Sequence, residues 1–234
     1  MTDAPACPPA PPASAHADLL TVPLAPDTAL YRIFRGPEPA RFSRTRSANR
    51  FDPLPDPWQD TQVLYAGSTP EVAISETVLR WHDGFVAGAP LILDRAKIQG
   101  RCLIQLRPRS ALSVIDLTGF ALARIAPFTA PAAPDQLFLA NRAHYAATQA
   151  WGAWLRSQQP HAAGFRWISR QHNTSICYVF FDDVVPANTF EPVNAADALD
   201  DPHCRAYELL LRCLDTLGWE LDLSPAPVPS ITAR

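Results

Sequence analysis

Apolar and polar positions along the chain sort it into short strands and a few helices, and the clearest pattern lies between residues 62 and 81. Gln62-Val63-Leu64-Tyr65-Ala66 is a β-favouring, mostly apolar run, which predicts a short buried strand. Gly67 ends it, and Ser68-Thr69-Pro70-Glu71 reads as a helix start. Ser68 with Glu71 fits a capping box, and Pro70 is tolerated in a first turn because its missing N–H would go unpaired there. The helix predicted over 70–81 is apolar on most sides, with Ile74, Val78 and Trp81 on one stripe and Val72 and Leu79 on another. That is the pattern of a buried helix. Glu76 falls beside Val72 and Leu79 on the wheel, where a carboxylate is partly desolvated, and its ordinary reading is an i,i+4 ion pair with Arg80.

Ala29 to Phe34 alternates as a strand, with Arg32 and Phe34 on one face and Tyr31 and Ile33 on the other. An arginine-dense loop follows over 41–53. Further strands are predicted over 101–106, 113–117, 165–168 and 175–181, with a short helical turn near Phe120 and helices over 141–158 and 203–217. The last helix carries Tyr207, Leu210, Leu211, Leu214 and Leu217 as an apolar stripe, which the domain, a second copy or a partner must cover. The Ala/Pro-rich residues 1–28 read as a disordered tail. The domain proper then spans 29–185, and 186–234 is a linker with a C-terminal helical extension.

Composition narrows the function classes. With 234 residues, 47% of them hydrophobic, the chain supports one medium domain with a real core. A formal net charge of -3 argues against a nucleic acid or an acidic membrane held by bulk charge. No apolar run reaches the length of a membrane span. The cysteines are scattered, with no C-x-x-C pair and no secretory apolar segment near the N-terminus, so reduced thiols in a cytoplasm are expected. The histidines also fall singly, without H-E-x-x-H or paired Cys/His spacing, and no metal site is expected.

Polar residues gather beside strand ends: Arg32 and Arg50, Tyr65 and Glu76, then Ser169 with Arg170. The segments Tyr31-Arg32, Arg50-Phe51, Leu64-Tyr65-Ala66-Gly67, Ala73-Ile74-Ser75-Glu76, Thr148-Gln149-Ala150-Trp151-Gly152 and Trp167-Ile168-Ser169 resemble successive motifs of the RES domain, in order, over residues 29 to about 183. The family is named for an arginine, a glutamate and a serine. Trp167-Ile168 departs from it, being bulky where smaller or turn-forming residues are expected.

The resemblance implies an α+β chain with an ADP-ribosyltransferase-like fold, two small β-sheets and flanking helices. It implies a toxin of a toxin–antitoxin pair that consumes NAD⁺ as substrate, with no other cofactor, opposed by an Xre-type antitoxin. By position, Arg32, Glu76 and Ser169 would be the catalytic set, and Tyr31, Arg32, Arg50, Tyr65 and Ser169 would bind the nucleotide. Cleavage of the nicotinamide–ribose bond, with water or phosphate as acceptor, is the favoured activity. Transfer of ADP-ribose to a macromolecule and a catalytically silent nucleotide-binding module are the alternatives. Self-association is a second way of restraining such a toxin.

The chemistry suits these residue types. Arginine offers a planar, permanently charged fork that grips phosphate oxygens bidentately. Breaking the nicotinamide–ribose bond passes through an oxocarbenium-like state, which a nearby carboxylate favours as positive charge develops. Each residue also has an ordinary role: Arg32 as an ion-pair partner, Arg50 as a loop cap, Tyr65 as a core aromatic and Ser169 as a turn residue before Asn173.

Overall fold

The structure, a computed structural model, describes residues 7–12, 18–43, 49–80, 91–125 and 144–222. The long sheet has the order β1-β6-β7-β8-β3-β2-β5-β10, with β9 also paired to β5. Its strands are β1 (Thr21–Leu24), β2 (Leu30–Phe34), β3 (Val63–Gly67), β5 (Cys102–Pro108), β6 (Leu112–Asp116), β7 (Gly164–Ile168), β8 (Ile176–Phe181), β9 (Phe190–Pro192) and β10 (Asp197–Ala198). Only the β6–β7 pair is parallel within it. Strands β4 (Leu91–Asp94) and β11 (Trp219–Asp222) form a separate parallel pair. Among the described residues the α-helices are α1 (Pro70–Thr77), α2 (Gly119–Ala123), α3 (Tyr145–Gln158) and α4 (Arg205–Leu217). Among the described residues no helix is long and apolar enough to cross a membrane.

The long sheet is two halves meeting at a seam. Strand β3 pairs with β8 through five residue pairs, and β2 pairs with β5 through five, yet β2 meets β3 only at Tyr31↔Gly67. The α+β class expected from the sequence is present, but in place of two small sheets the strands join, through that one rung, into a nine-stranded sheet. Where ladder bonding lapses the strands are free to splay, and that seam is where the candidate site lies.

Alternation along the strands divides the core. Phe34, Leu64, Ala66 and Phe180 face one apolar cluster, while Val63, Val179 and Phe181 face another that holds Trp151 and Phe165. Ile33 sits on the opposite face from Phe34, in a third cluster with Ile74, Val78, Leu79, Leu209, Leu210 and Leu214. Gly164 is required where β7 crosses β8, since a Cβ there would lie 1.9 Å from the Val179 carbonyl oxygen.

Several sequence expectations need correction. Residues 21–24 belong to the sheet, not to a disordered tail: β1 pairs with β6, and Leu19 and Leu24 are buried. Residues 186–202 are not a plain linker, because β9 and β10 both pair with β5. Thr69, not Ser68, caps α1 by accepting from the Val72 N–H at 3.3 Å. Ser68 is engaged across the sheet, its N–H donating to the Ile176 carbonyl at 2.8 Å and its Oγ accepting from the Ile176 N–H at 3.0 Å. Helix α1 ends at Thr77, and Trp81 and residues 141–143 lie outside the described residues. The final helix is covered by its own domain, with Ala206, Leu209, Leu210 and Leu214 inward, whereas Leu211 and Leu217 are 41% and 45% exposed.

Candidate active site

Strand β3 ends at Gly67 and α1 begins three residues later, so the strand-to-helix turn fixes where Glu76 stands. The turn is tight: a Cβ on Gly67 would lie 2.7 Å from Val72 Cγ1 and 3.0 Å from the Ala73 nitrogen. Packing of Val72, Ala73 and Ile74 seats the helix on the sheet, and Glu76 is left half-buried on the wall of a cavity of about 310 Å³.

Glu76 is held from behind. The Ser169 hydroxyl donates to Glu76 Oε1 at 2.6 Å, and the same oxygen accepts from the Gln171 N–H at 3.5 Å. Ser169 Oγ in turn accepts from the backbone N–H groups of Gln171 at 3.2 Å and His172 at 3.0 Å. A hydroxyl has one proton and two lone pairs, so Ser169 is saturated by these contacts. It is fully buried and is not among the residues that line the cavity. Its turn-forming role and its link to Glu76 are therefore one arrangement.

Arg50 enters from a tight turn in which the Asn49 N–H donates to the Asp52 carbonyl at 2.6 Å. Helix α3 secures that turn. Thr148 Oγ1 donates to the Arg50 carbonyl at 2.6 Å, and Gln149 Nε2 donates to the carbonyls of Asn49 at 2.9 Å and Asp52 at 3.2 Å. Gly152 lets Leu54 and Phe51 close over the helix, for a Cβ there would meet Leu54 Cδ2 at 2.8 Å. The segment Thr148-Gln149-Ala150-Trp151-Gly152 thus acts through Arg50. Burial pulls the Arg50 guanidinium below its usual range, while Tyr145 and Glu76 act in the other direction.

Arg32 projects from β2, and its Nη1 donates to the Arg41 carbonyl at 2.7 Å. Burial brings it down to about 10, so it keeps its charge at neutral pH. Tyr31 lines the same cavity from the seam, with its hydroxyl 3.5 Å from Gln105 Oε1. Tyr65 lines it from β3, and its hydroxyl accepts from the Phe51 N–H at 3.2 Å. Burial pushes the Tyr65 phenol up, which keeps it neutral. Trp167 is buried and packs edge-on to Phe51 at 5.4 Å and to Tyr65 at 6.4 Å. Its bulk therefore forms wall, whereas Ile168 is 42% exposed. The buried Cys177 thiol also lines the cavity, pushed up chiefly by burial and then by Glu76, so it stays protonated and is a poor nucleophile.

Of the residues singled out in the sequence, Tyr31, Arg32, Arg50, Tyr65 and Glu76 share the cavity, and Ser169 supports Glu76 from outside it. Arg80 and Arg101 also line it and were not anticipated there. Arg80 donates to Asn49 Oδ1 at 3.2 Å and to the Tyr145 hydroxyl at 2.6 Å, in place of the i,i+4 pair with Glu76. A cationic residue one turn beyond the glutamate was the only signal available for Arg80. Nothing local pointed to Arg101. Four arginines and one carboxylate give the lining a net positive charge suited to an anionic ligand that carries one cationic group.

The family model described as the RES domain matches residues 29–201. Among solved structures, a chain from the crystal structure of the M. tuberculosis MbcT–MbcA toxin–antitoxin complex is similar to this one at a TM-score of 0.52 and 12% identity. The similarity covers 82% of this chain and 91% of that one, and at such identity it speaks to the fold. No curated protein matches the sequence.

Proposed function

The chain belongs to the RES domain family, and from that premise we propose that it is a toxin that consumes NAD⁺ by breaking the nicotinamide–ribose bond, restrained by an antitoxin protein. The observation that carries this reading is Glu76, half-buried in an arginine-lined cavity and fixed through Oε1 by Ser169 at 2.6 Å. A preorganised carboxylate favours the positive charge that develops on the ribose as nicotinamide leaves. Arg32 and Arg50 are suited to the diphosphate, since a guanidinium keeps its charge even when burial lowers its pKa. Tyr31 and Tyr65 supply flat apolar faces with polar tips for the nicotinamide and sugar.

Nicotinamide is a neutral leaving group once the bond breaks, so the departing nitrogen needs no proton. Water, which releases a proton to solvent, or a phosphate oxygen then bonds to the ribose carbon. NAD⁺ is in this reading a substrate, and the activity belongs in the cytoplasm where the dinucleotide is abundant. Likeness to a chain from a toxin–antitoxin complex supports a protein partner, for which an Xre-type antitoxin is our choice.

The test is incubation of the purified chain with NAD⁺ while free nicotinamide and labelled protein are followed together. Stoichiometric release of nicotinamide with unlabelled protein supports glycohydrolase or phosphorylase action. Label on a macromolecule points to ADP-ribosyl transfer. Absence of any nicotinamide release sinks the proposal.

A further inference from the structure

Arg101 stands apart from the other cavity arginines. Arg32 donates to a carbonyl and Arg80 to an amide oxygen and a phenol, but the Arg101 guanidinium makes no hydrogen bond or ion pair among the described residues. Its Nε is sealed from solvent and has no acceptor there. Its base is rigid, with the Arg101 N–H donating to the Ile98 carbonyl at 2.9 Å and its carbonyl accepting from the Leu199 N–H at 2.9 Å.

The surroundings make that arrangement unfavourable. The β2–β5 register ends at Phe34↔Cys102, so Arg35 and Arg101 both fall just past the last pair, where they act on each other electrostatically. Like charges at neighbouring strand ends repel. Burial, then Arg35, draws Arg101 below the usual arginine range. Carboxylates on adjoining loops are turned to backbone instead: Asp94 Oδ1 accepts from the Ala96 N–H at 2.8 Å, and Asp200 Oδ2 from the Gly100 N–H at 2.8 Å. A half-buried cation lacking a counter-charge, beside a second cation and on the wall of a ligand-sized cavity, is held ready for an anion.

We propose that Arg101 is a further binding residue of this site, a fork that grips the phosphate oxygens of a nucleoside-diphosphate ligand. The inference rests on the nucleotide reading above and extends it to a residue outside the motifs that name the family. Arg101 lines the same cavity as Glu76, so the two would face one bound ligand.

The experiment compares wild type, Arg101→Met and Arg101→Lys for binding of ADP-ribose and of adenosine by calorimetry, with the melting temperature of each free protein. Methionine keeps much of the apolar stem and removes the charge. Arg101→Met is expected to bind ADP-ribose at least tenfold more weakly, adenosine unchanged, and to melt at the same temperature as wild type or higher, since a cation without a partner has been removed. Arg101→Lys should retain part of the affinity. Equal affinity of Arg101→Met and wild type for ADP-ribose overturns the proposal while leaving the nucleotide reading intact. So does a large fall in melting temperature, which makes Arg101 a structural residue. If wild type binds no ADP-ribose, both readings fall together.

Discussion

Ser169 donates its only hydroxyl proton to Glu76 Oε1 at 2.6 Å while accepting from the backbone of Gln171 and His172. The two side chains lie 93 positions apart in the sequence, one on α1 and one just after β7. The bond therefore ties the helix that carries the carboxylate to the rim of the sheet. It also fixes Oε1 as the Glu76 oxygen held by Ser169.

Glu76→Gln is expected to keep the fold and lose most NAD⁺ cleavage. The amide preserves shape but removes the charge that favours an oxocarbenium-like state, an effect of about 3 kcal/mol by analogy with other preorganised electrostatic contributions, or on the order of 100-fold in rate. Steady-state nicotinamide release, checked against an unchanged circular-dichroism spectrum, measures it. Activity within twofold of wild type would remove Glu76 from the mechanism.

Ser169→Ala separates positioning from contact. The alanine leaves Glu76 without its 2.6 Å donor and the part-buried His172 N–H without its acceptor, while the Gln171 N–H keeps only its long bond to Glu76 Oε1, costing about 1–3 kcal/mol of stability. Because Ser169 does not line the cavity, kcat should fall clearly while KM for NAD⁺ moves little. A selective rise in KM would instead mean that the hydroxyl leaves Glu76 to meet the nucleotide.

What the sequence discloses here is local, and what it conceals is set by partners distant along the chain. Glu76 is legible because Gly67, Pro70 and the apolar positions of α1 lie within one window. Strand β8 is legible as a continuous apolar run, and β7 as a short apolar and aromatic run that only Arg166 interrupts. Arg101 was hidden because its place depends on pairing β2 with β5. The cap of α1 shifted from Ser68 to Thr69 because Ser68 meets Ile176, far ahead in the chain. Strands β4 and β11 are invisible to a window of any ordinary length, since each is ordered by the other across more than half the chain. In α4 the expected stripe holds at Leu210 and Leu214, with Tyr207 packed against the core, but Leu209 joins it while Leu211 and Leu217 face outward, a choice that packing against α1 decides.

Thr148→Val tests whether the α3 motif serves Arg50. Valine matches threonine in volume, so the fully buried site is refilled, but the donor to the Arg50 carbonyl is lost. The stability cost should be about 1 kcal/mol. The larger consequence is expected in binding: the turn over 49–52 loosens, and affinity for ADP-ribose falls although residue 148 lies outside the cavity. Unchanged affinity together with lowered stability would make the motif a packing element alone.

Deleting residues 1–24 is the sharpest test of the N-terminal segment, because composition and structure give opposite answers. An Ala/Pro-rich tail should be dispensable. In the structure, β1 is the edge strand of the long sheet, pairing Thr21–Leu24 with Leu112–Ile115. The Asp116 N–H adds a bond to the Leu20 carbonyl at 2.8 Å, and the Pro9 carbonyl accepts from Trp151 Nε1 at 2.6 Å. Leu19 and Leu24 are 7% and 5% exposed, and each buried leucine contributes about 1.5–3 kcal/mol. Their loss alone predicts a destabilisation of roughly 3 kcal/mol or more, or about 6–12 °C in melting temperature for a chain of this size. Removal of β1 also bares β6 as a new edge rich in Val and Ile, so the truncated chain should aggregate more readily. A melting temperature within 2 °C of wild type, or about 0.5–1 kcal/mol, with no increase in light scattering, would show that β1 contributes little to the sheet it borders.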